Sequence, residues 1–154
     1  MKVTEGPSIK AFGILRILIG LLFVVSGFMK LMQPYQNFLL TVHSYEILNG
    51  PPAEWFAKGM PWAEFMLGVL MILGLWRRPV IFGLWAMNTM FIAALTSAMI
   101  RKLPLQECGC FGESFSLPLY QILILDIVVW LLFMAMAGFF DQTRSWSLDK
   151  KLDA

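Results

Sequence analysis

Apolar residues fall along the chain in four long runs separated by polar or charged breaks. The first covers about residues 11–32, with Arg16 and Lys30 as its charges. The second, about 59–76, lies between Lys58 and Arg77 and is interrupted only by Glu64. The third, about 79–100, lies between Arg78 and Arg101 and carries no charge, and the fourth, about 119–140, carries Asp126 alone. Crossing roughly 30 Å of hydrocarbon at about 1.5 Å per residue takes about 20 mainly apolar residues. The pattern therefore predicts an all-α integral membrane four-helix bundle, with residues 1–154 forming one transmembrane domain. A cleaved signal peptide fits the first run poorly, because the run is too long for an h-region and no A-x-A-type site follows it.

A fifth, shorter element is predicted between the first two runs. Tyr35, Phe38, Leu39, Val42, Tyr45, Ile47 and Leu48 recur at spacings of one to four, with Pro34 at the start and Gly50-Pro51-Pro52 at the end. This reads as a short amphipathic helix lying on the membrane face or capping the bundle. A buried loop helix is the alternative.

Composition agrees with lipid as the solvent. Hydrophobic residues make up 58% and charged residues 14%, against roughly 25% charged in soluble domains. The net charge of +2 and the absence of a basic run give no reason to expect a nucleic-acid partner. Orientation follows from Lys and Arg. Lys2, Lys10, Arg77, Arg78, Arg144, Lys150 and Lys151 fall on one side, and Lys30, Lys58, Arg101 and Lys102 on the other. Both termini are therefore expected in the cytoplasm, with the longer loops, about 33–60 and 101–118, outside. The segment after residue 141 reads as a fraying cytoplasmic extension of the last helix.

The sharpest local signal is Glu107-Cys108-Gly109-Cys110-Phe111-Gly112, which holds both Cys residues of the chain. A disulfide between Cys108 and Cys110 closes a very small loop, so it adds little to stability by chain entropy. Its tight ring favours a strained, exchangeable bond. In the expected topology the pair faces the oxidising side of the membrane. Redox exchange is thus the leading reading, with Arg101 and Lys102 placed to lower the thiol pKa. Two alternatives remain. The thiolates, with His43 as a third ligand, suit a soft metal, although a closed zinc site needs four ligands; or both thiols are inert.

Ionisable residues within the spans are costly in lipid and so are candidates for function. Arg16 shares a helical face with Gly13, Gly20, Gly27 and Lys30, and small residues let helices approach closely, so this face is expected to point into the bundle. Lys30, Glu64 and Asp126 all fall in the outer half, beneath the Cys loop, as a polar cluster that supports thiol chemistry or, equally, as an ion-pair network that fixes helix order. Arg16, near the inner end, is expected to snorkel to the cytoplasmic surface. Asn88 reads as an interhelical hydrogen-bonding residue, and the Met residues read as packing. No phosphate-binding loop, hydrolase triad, metalloprotease motif or internal repeat is present.

Gly27-Phe28-Met29-Lys30-Leu31, Pro34, Pro61-Trp62-Ala63-Glu64, Gly68, Gly74 and Cys108-Gly109-Cys110-Phe111-Gly112 occur in an order that resembles the DoxX-like membrane proteins, and more closely their methylamine-utilisation MauE branch. The resemblance covers roughly residues 11–140. It implies a four-helix fold in the bacterial inner membrane, a periplasmic thioredoxin-like or Cys-containing partner, and quinone as electron acceptor. In members of the family an Arg often precedes the acidic or amide residue of the last helix. Leu125 stands there in this chain, so a role for that Arg does not carry over. The expected function is a thiol-disulfide redox component that supports oxidation or maturation of a periplasmic protein. The alternatives are a soft-metal binding or transport protein and a non-catalytic assembly subunit.

Overall fold

The computed structural model describes residues 7–103 and 118–139. They form five helices: α1 (Pro7–Met32), α2 (Tyr35–Ser44), α3 (Pro51–Leu73), α4 (Arg77–Ile100) and α5 (Leu119–Gly138). Helices α1, α3, α4 and α5 are each long and apolar enough to cross a membrane, so the fold is an all-α four-helix membrane bundle. The short α2 matches the helix expected between the first two spans.

Proline sets where several of these helices begin. Pro34 and Pro118 precede α2 and α5 with extended ψ angles of 134° and 144°. Their carbonyls accept the first turn's N–H groups, from Asn37 and Gln121. Pro51 and Pro52 open α3, where the missing N–H has no intrahelical partner to lose. The second span consequently starts two turns earlier than residue 59, because the Gly50-Pro51-Pro52 break launches α3 directly. It also stops earlier. Gly74 adopts φ 69° and its N–H reaches the Met71 carbonyl as well as that of Leu70, while Leu75 donates to Leu70. A left-handed glycine with this pair of bonds is a Schellman stop, so the helix ends at Leu73 rather than near 76.

The four long helices share an apolar core. Ile19 and Phe23 of α1, Met71 of α3, Ile81 and Leu84 of α4, and Phe133 and Met136 of α5 meet in it. The seam between α1 and α3 is the tightest. A Cβ on Gly27 would stand 2.7 Å from the Phe65 backbone nitrogen, and one on Gly68 would stand 2.9 Å from that of Val24 and 3.0 Å from the Gly20 carbonyl oxygen. Backbone meets backbone here, as small residues permit between membrane helices. The exposed face bears Leu18, Leu21, Phe82, Ile124 and Leu131. Trp55 stands exposed in the second turn of α3 and Trp76 three residues past its end, and the helical rise from Trp55 to Leu73 is about 27 Å. That separation suits aromatic anchors at the two interfaces of a bilayer.

Candidate functional site

The α1–α3 seam places a charged pair inside the bundle. The Lys30 ammonium donates to both carboxylate oxygens of Glu64, at 2.8 and 2.7 Å, and to the Ser26 hydroxyl at 3.2 Å. Ser26 in turn donates to Glu64 at 3.4 Å. Both charged side chains are 1% exposed. Lys30 and Ser26 are four residues apart on α1, so they share a face, and Gly27 between them lets α3 come close enough to bring Glu64 to it. The rings of Phe38 and Phe91 flank the ammonium, with centroids 5.3 and 5.1 Å away, a separation at which the ring faces attract a cation.

A second polar group faces this pair from the other half of the bundle. Asn88 of α4 donates to Asp126 of α5 at 3.2 Å. Ser26, Lys30, Glu64 and Asp126 line one cavity of about 30 Å³, enough for a water molecule, whose sites need roughly 10–15 Å³. Asp126 Oδ2 and Asn88 Oδ1 are buried and find no hydrogen-bond partner among the described residues. One ammonium and two carboxyl groups thus converge within the spans, held in part by hydrogen bonds that cross from α1 to α3 and from α4 to α5.

At the end of the bundle that carries α2, Arg101 binds Glu46 at 2.9 Å and donates to the Tyr45 carbonyl at 3.0 Å, tying the end of α4 to the chain after α2. The adjoining Lys102 takes a left-handed backbone, φ 51°. Burial, reinforced by the nearby Asp126 carboxylate, pushes the Tyr45 phenol up to about 12, so it keeps its proton at neutral pH. His43 lies in the last turn of α2, with a buried Nε2 that has no partner among the described residues.

Of the residues singled out from sequence, Lys30, Glu64 and Asp126 are brought to one cavity, with Asn88 bound to Asp126. Arg101, Lys102 and His43 lie toward the α2 end, outside it. Cys108 and Cys110 lie outside the described residues. Arg16 corrects an expectation: it is 1% exposed, and its guanidinium lies 3.5 Å from the Ile72 carbonyl. The side chain is held against the end of α3 instead of snorkelling outward. Ser26, Phe38 and Phe91 complete the surroundings of Lys30, a role the sequence did not assign them. Ser26 had one signal, its four-residue spacing from Lys30.

Comparison with known proteins places the chain in a family. A family model described as methylamine utilisation protein MauE matches residues 9–140, from the first turn of α1 to beyond the end of α5. No curated protein and no solved structure matches the chain. The match takes in the bundle and the segment that carries Cys108 and Cys110, and the chain belongs to the MauE family of membrane proteins.

Proposed function

We propose that the protein is a thiol-disulfide redox component of the bacterial inner membrane, with both termini cytoplasmic and Cys108-Gly109-Cys110 facing the periplasm. Its family ties it to an accessory membrane role in methylamine utilisation, and the reading makes that role the oxidation or maturation of a periplasmic Cys-containing protein. A thiolate of the partner attacks the Cys108–Cys110 disulfide to give a mixed disulfide and one free thiol in the pair. The partner's second thiol then resolves it, leaving partner disulfide and a Cys108/Cys110 dithiol. Two electrons and two protons have moved onto the pair. A two-electron acceptor, a lipid-soluble quinone, takes them and restores the disulfide.

The observation that carries the reading is where the buried polar groups stand. Asn88 and Asp126 sit on α4 and α5, the two helices that the Cys-bearing segment joins; Asn88 binds Asp126, and Asp126 lines a water-sized cavity with Lys30 and Glu64. Proton release and uptake must accompany each thiol step, and ionisable groups inside a span are the usual means of handling protons there. Arg101 and Lys102 lie at the start of the same segment, where their charge favours thiolate.

The test is trapping. Cys110→Ser and Cys108→Ser variants are isolated from cells with thiols blocked, and disulfide-linked adducts are identified by mass. At least one variant is expected to hold a periplasmic protein in a mixed disulfide. If neither does, and differential alkylation finds the wild-type pair never cycling under mild oxidants, the redox reading fails.

A further inference from the structure

Only Gln33 and Pro34 separate α1 from α2, and α2 packs on α3. An open groove of about 490 Å³ is left where the three helices meet. Its deeper walls are Phe28 of α1, Phe38 of α2, and Trp62 and Phe65 of α3. The rings of Phe28 and Phe65 lie 6.4 Å apart across the α1–α3 seam. Phe28, Met32 and Trp62 are each more than half exposed, so within a membrane the groove opens to lipid.

The groove presents polar surface as well as apolar, and Gln33 and Lys58 are among the residues that line it. The Lys58 ammonium stands 4.6 Å from the centre of the Tyr35 ring. Lys58 is one turn from the interface anchor Trp55, and a lysine near the end of a span carries its charge outward to the interface. Seven residues separate it from Phe65, about 10 Å along the helix. Charge therefore lies at the interface and the aromatic walls at acyl-chain depth. The Lys58–Glu54 contact is long, 3.8 Å, and half exposed, so it holds the ammonium weakly. Lys30 also borders the groove, with its charge already met by Glu64. No acidic residue is among the described residues that line it. Lys58 is thus the charge that an entering ligand can match.

We infer that this groove binds one anionic phospholipid of the phosphatidylglycerol kind, from the leaflet at the α2 end, with its phosphate at Lys58 and an acyl chain along Phe28, Phe65 and Trp62. The order of chemistry along the groove is the order along the lipid, a phosphodiester at the interface and hydrocarbon below it. Basic pockets between membrane helices select anionic head groups in this way. The volume of about 490 Å³ falls in the range of ligand sites, about 300–1,000 Å³, so it holds part of the lipid while the rest stays in the bilayer. A free phosphate would leave the aromatic walls bare, and an uncharged acyl chain would leave Lys58 unmatched. Bound lipid ties the start of α2 to α1 and α3. The site does not depend on the redox function proposed above.

The experiment places the full chain in phosphatidylcholine nanodiscs carrying equal small amounts of phosphatidylglycerol and diacylglycerol, and identifies the lipid retained on the released protein by native mass spectrometry. Wild type is expected to keep one phosphatidylglycerol, enriched over its share of the bilayer, with neither other lipid enriched. Lys58→Ala is expected to lower that enrichment roughly fivefold, the worth of one lysine beside a lipid phosphate, and Lys58→Arg to keep it. Lys102→Ala removes an equal charge at the same end of the bundle, outside the groove, and is expected to change nothing. Trp62→Ala, which opens the chain wall, is expected to weaken retention while leaving the preference for phosphatidylglycerol. Added inorganic phosphate is expected to displace no lipid. Phosphatidylcholine or diacylglycerol enriched as strongly as phosphatidylglycerol overturns the proposal. So does enrichment that survives Lys58→Ala, that falls equally with Lys102→Ala, or that inorganic phosphate abolishes.

Discussion

Lys30–Glu64 and Arg101–Glu46 are almost equally short ion pairs, 2.7 and 2.9 Å, in opposite surroundings. The first is 1% exposed on both sides and is closed in by Ser26 and two Phe rings. The second is 38% and 66% exposed at the end of the bundle. Length therefore says little about what a pair contributes. Taking two charges out of water is costly, and once they are buried, each holds the other to its place. At the surface, water and salt screen the attraction and side-chain entropy opposes it. The buried pair ties α1 to α3; the exposed one ties the end of α4 to the chain after α2.

The largest expected effect comes from breaking the buried pair on one side. Glu64→Ala leaves Lys30 without its carboxylate inside the bundle and is expected to cost about 3–5 kcal/mol, read as lowered resistance to unfolding in mixed micelles. Lys30→Met combined with Glu64→Met removes both charges and is expected to recover most of that loss. Thiol cycling of Cys108 and Cys110 in the double variant then separates two roles. If the pair serves only to order the helices, cycling persists; if the cluster moves protons, cycling falls although the protein is folded. A double variant no more stable than Glu64→Ala would show that burial is not what distinguishes this pair.

The seam that brings the pair together offers a smaller effect. Gly27→Ala places a methyl 2.7 Å from the Phe65 nitrogen and 2.9 Å from the Pro61 carbonyl oxygen, both backbone atoms. Neither can swing aside, so α1 must move off α3, at about 1–3 kcal/mol, as other overpacked sites do. Gly59→Ala, on α3 itself, meets nothing within 4 Å and is expected to be neutral or to stabilise by up to about 1 kcal/mol, since Ala is the better helix former. Equal effects at the two glycines, in the same unfolding measurement, would mean that close approach is not what shields Lys30 and Glu64.

What could be read from the sequence depended on contrast. A charge in an apolar run is conspicuous, so Lys30, Glu64 and Asp126 stood out, and run length alone gave four spans. Ser26 did not stand out, because a lone hydroxyl is common in a membrane helix. Phe38 and Phe91 were hidden among thirteen Phe. The apolar run alone puts the start of α3 too late, because Lys58 reads as a boundary. In the fold Lys58 and Glu54 are both exposed on one face, 3.8 Å apart, while Ala53 and Ala57 on the other face are buried. Sequence alone does not distinguish a snorkelling Arg16 from a buried one, because its burial depends on where the end of α3 falls, a tertiary fact. The groove among α1, α2 and α3 was invisible for the same reason: periodicity gives the faces of helices but not which faces fail to meet.

The smallest expected effect is at the exposed pair, and it needs two substitutions because Glu46 does two things. Its carboxylate meets Arg101, and its backbone takes φ 52°, a left-handed conformation that a side chain disfavours. Glu46→Ala removes the charge and keeps the strain, so it is expected to cost under about 1 kcal/mol. That cost should shrink further as salt shortens the screening length. Glu46→Gly removes the same charge but relieves the backbone, and it is expected to be at least as stable as Glu46→Ala despite the added freedom of the unfolded chain. Stability in mixed micelles across a salt series reads both. A cost for Glu46→Ala as large as that for Glu64→Ala, or one that salt leaves unchanged, would mean that solvent exposure is not what sets these two ion pairs apart.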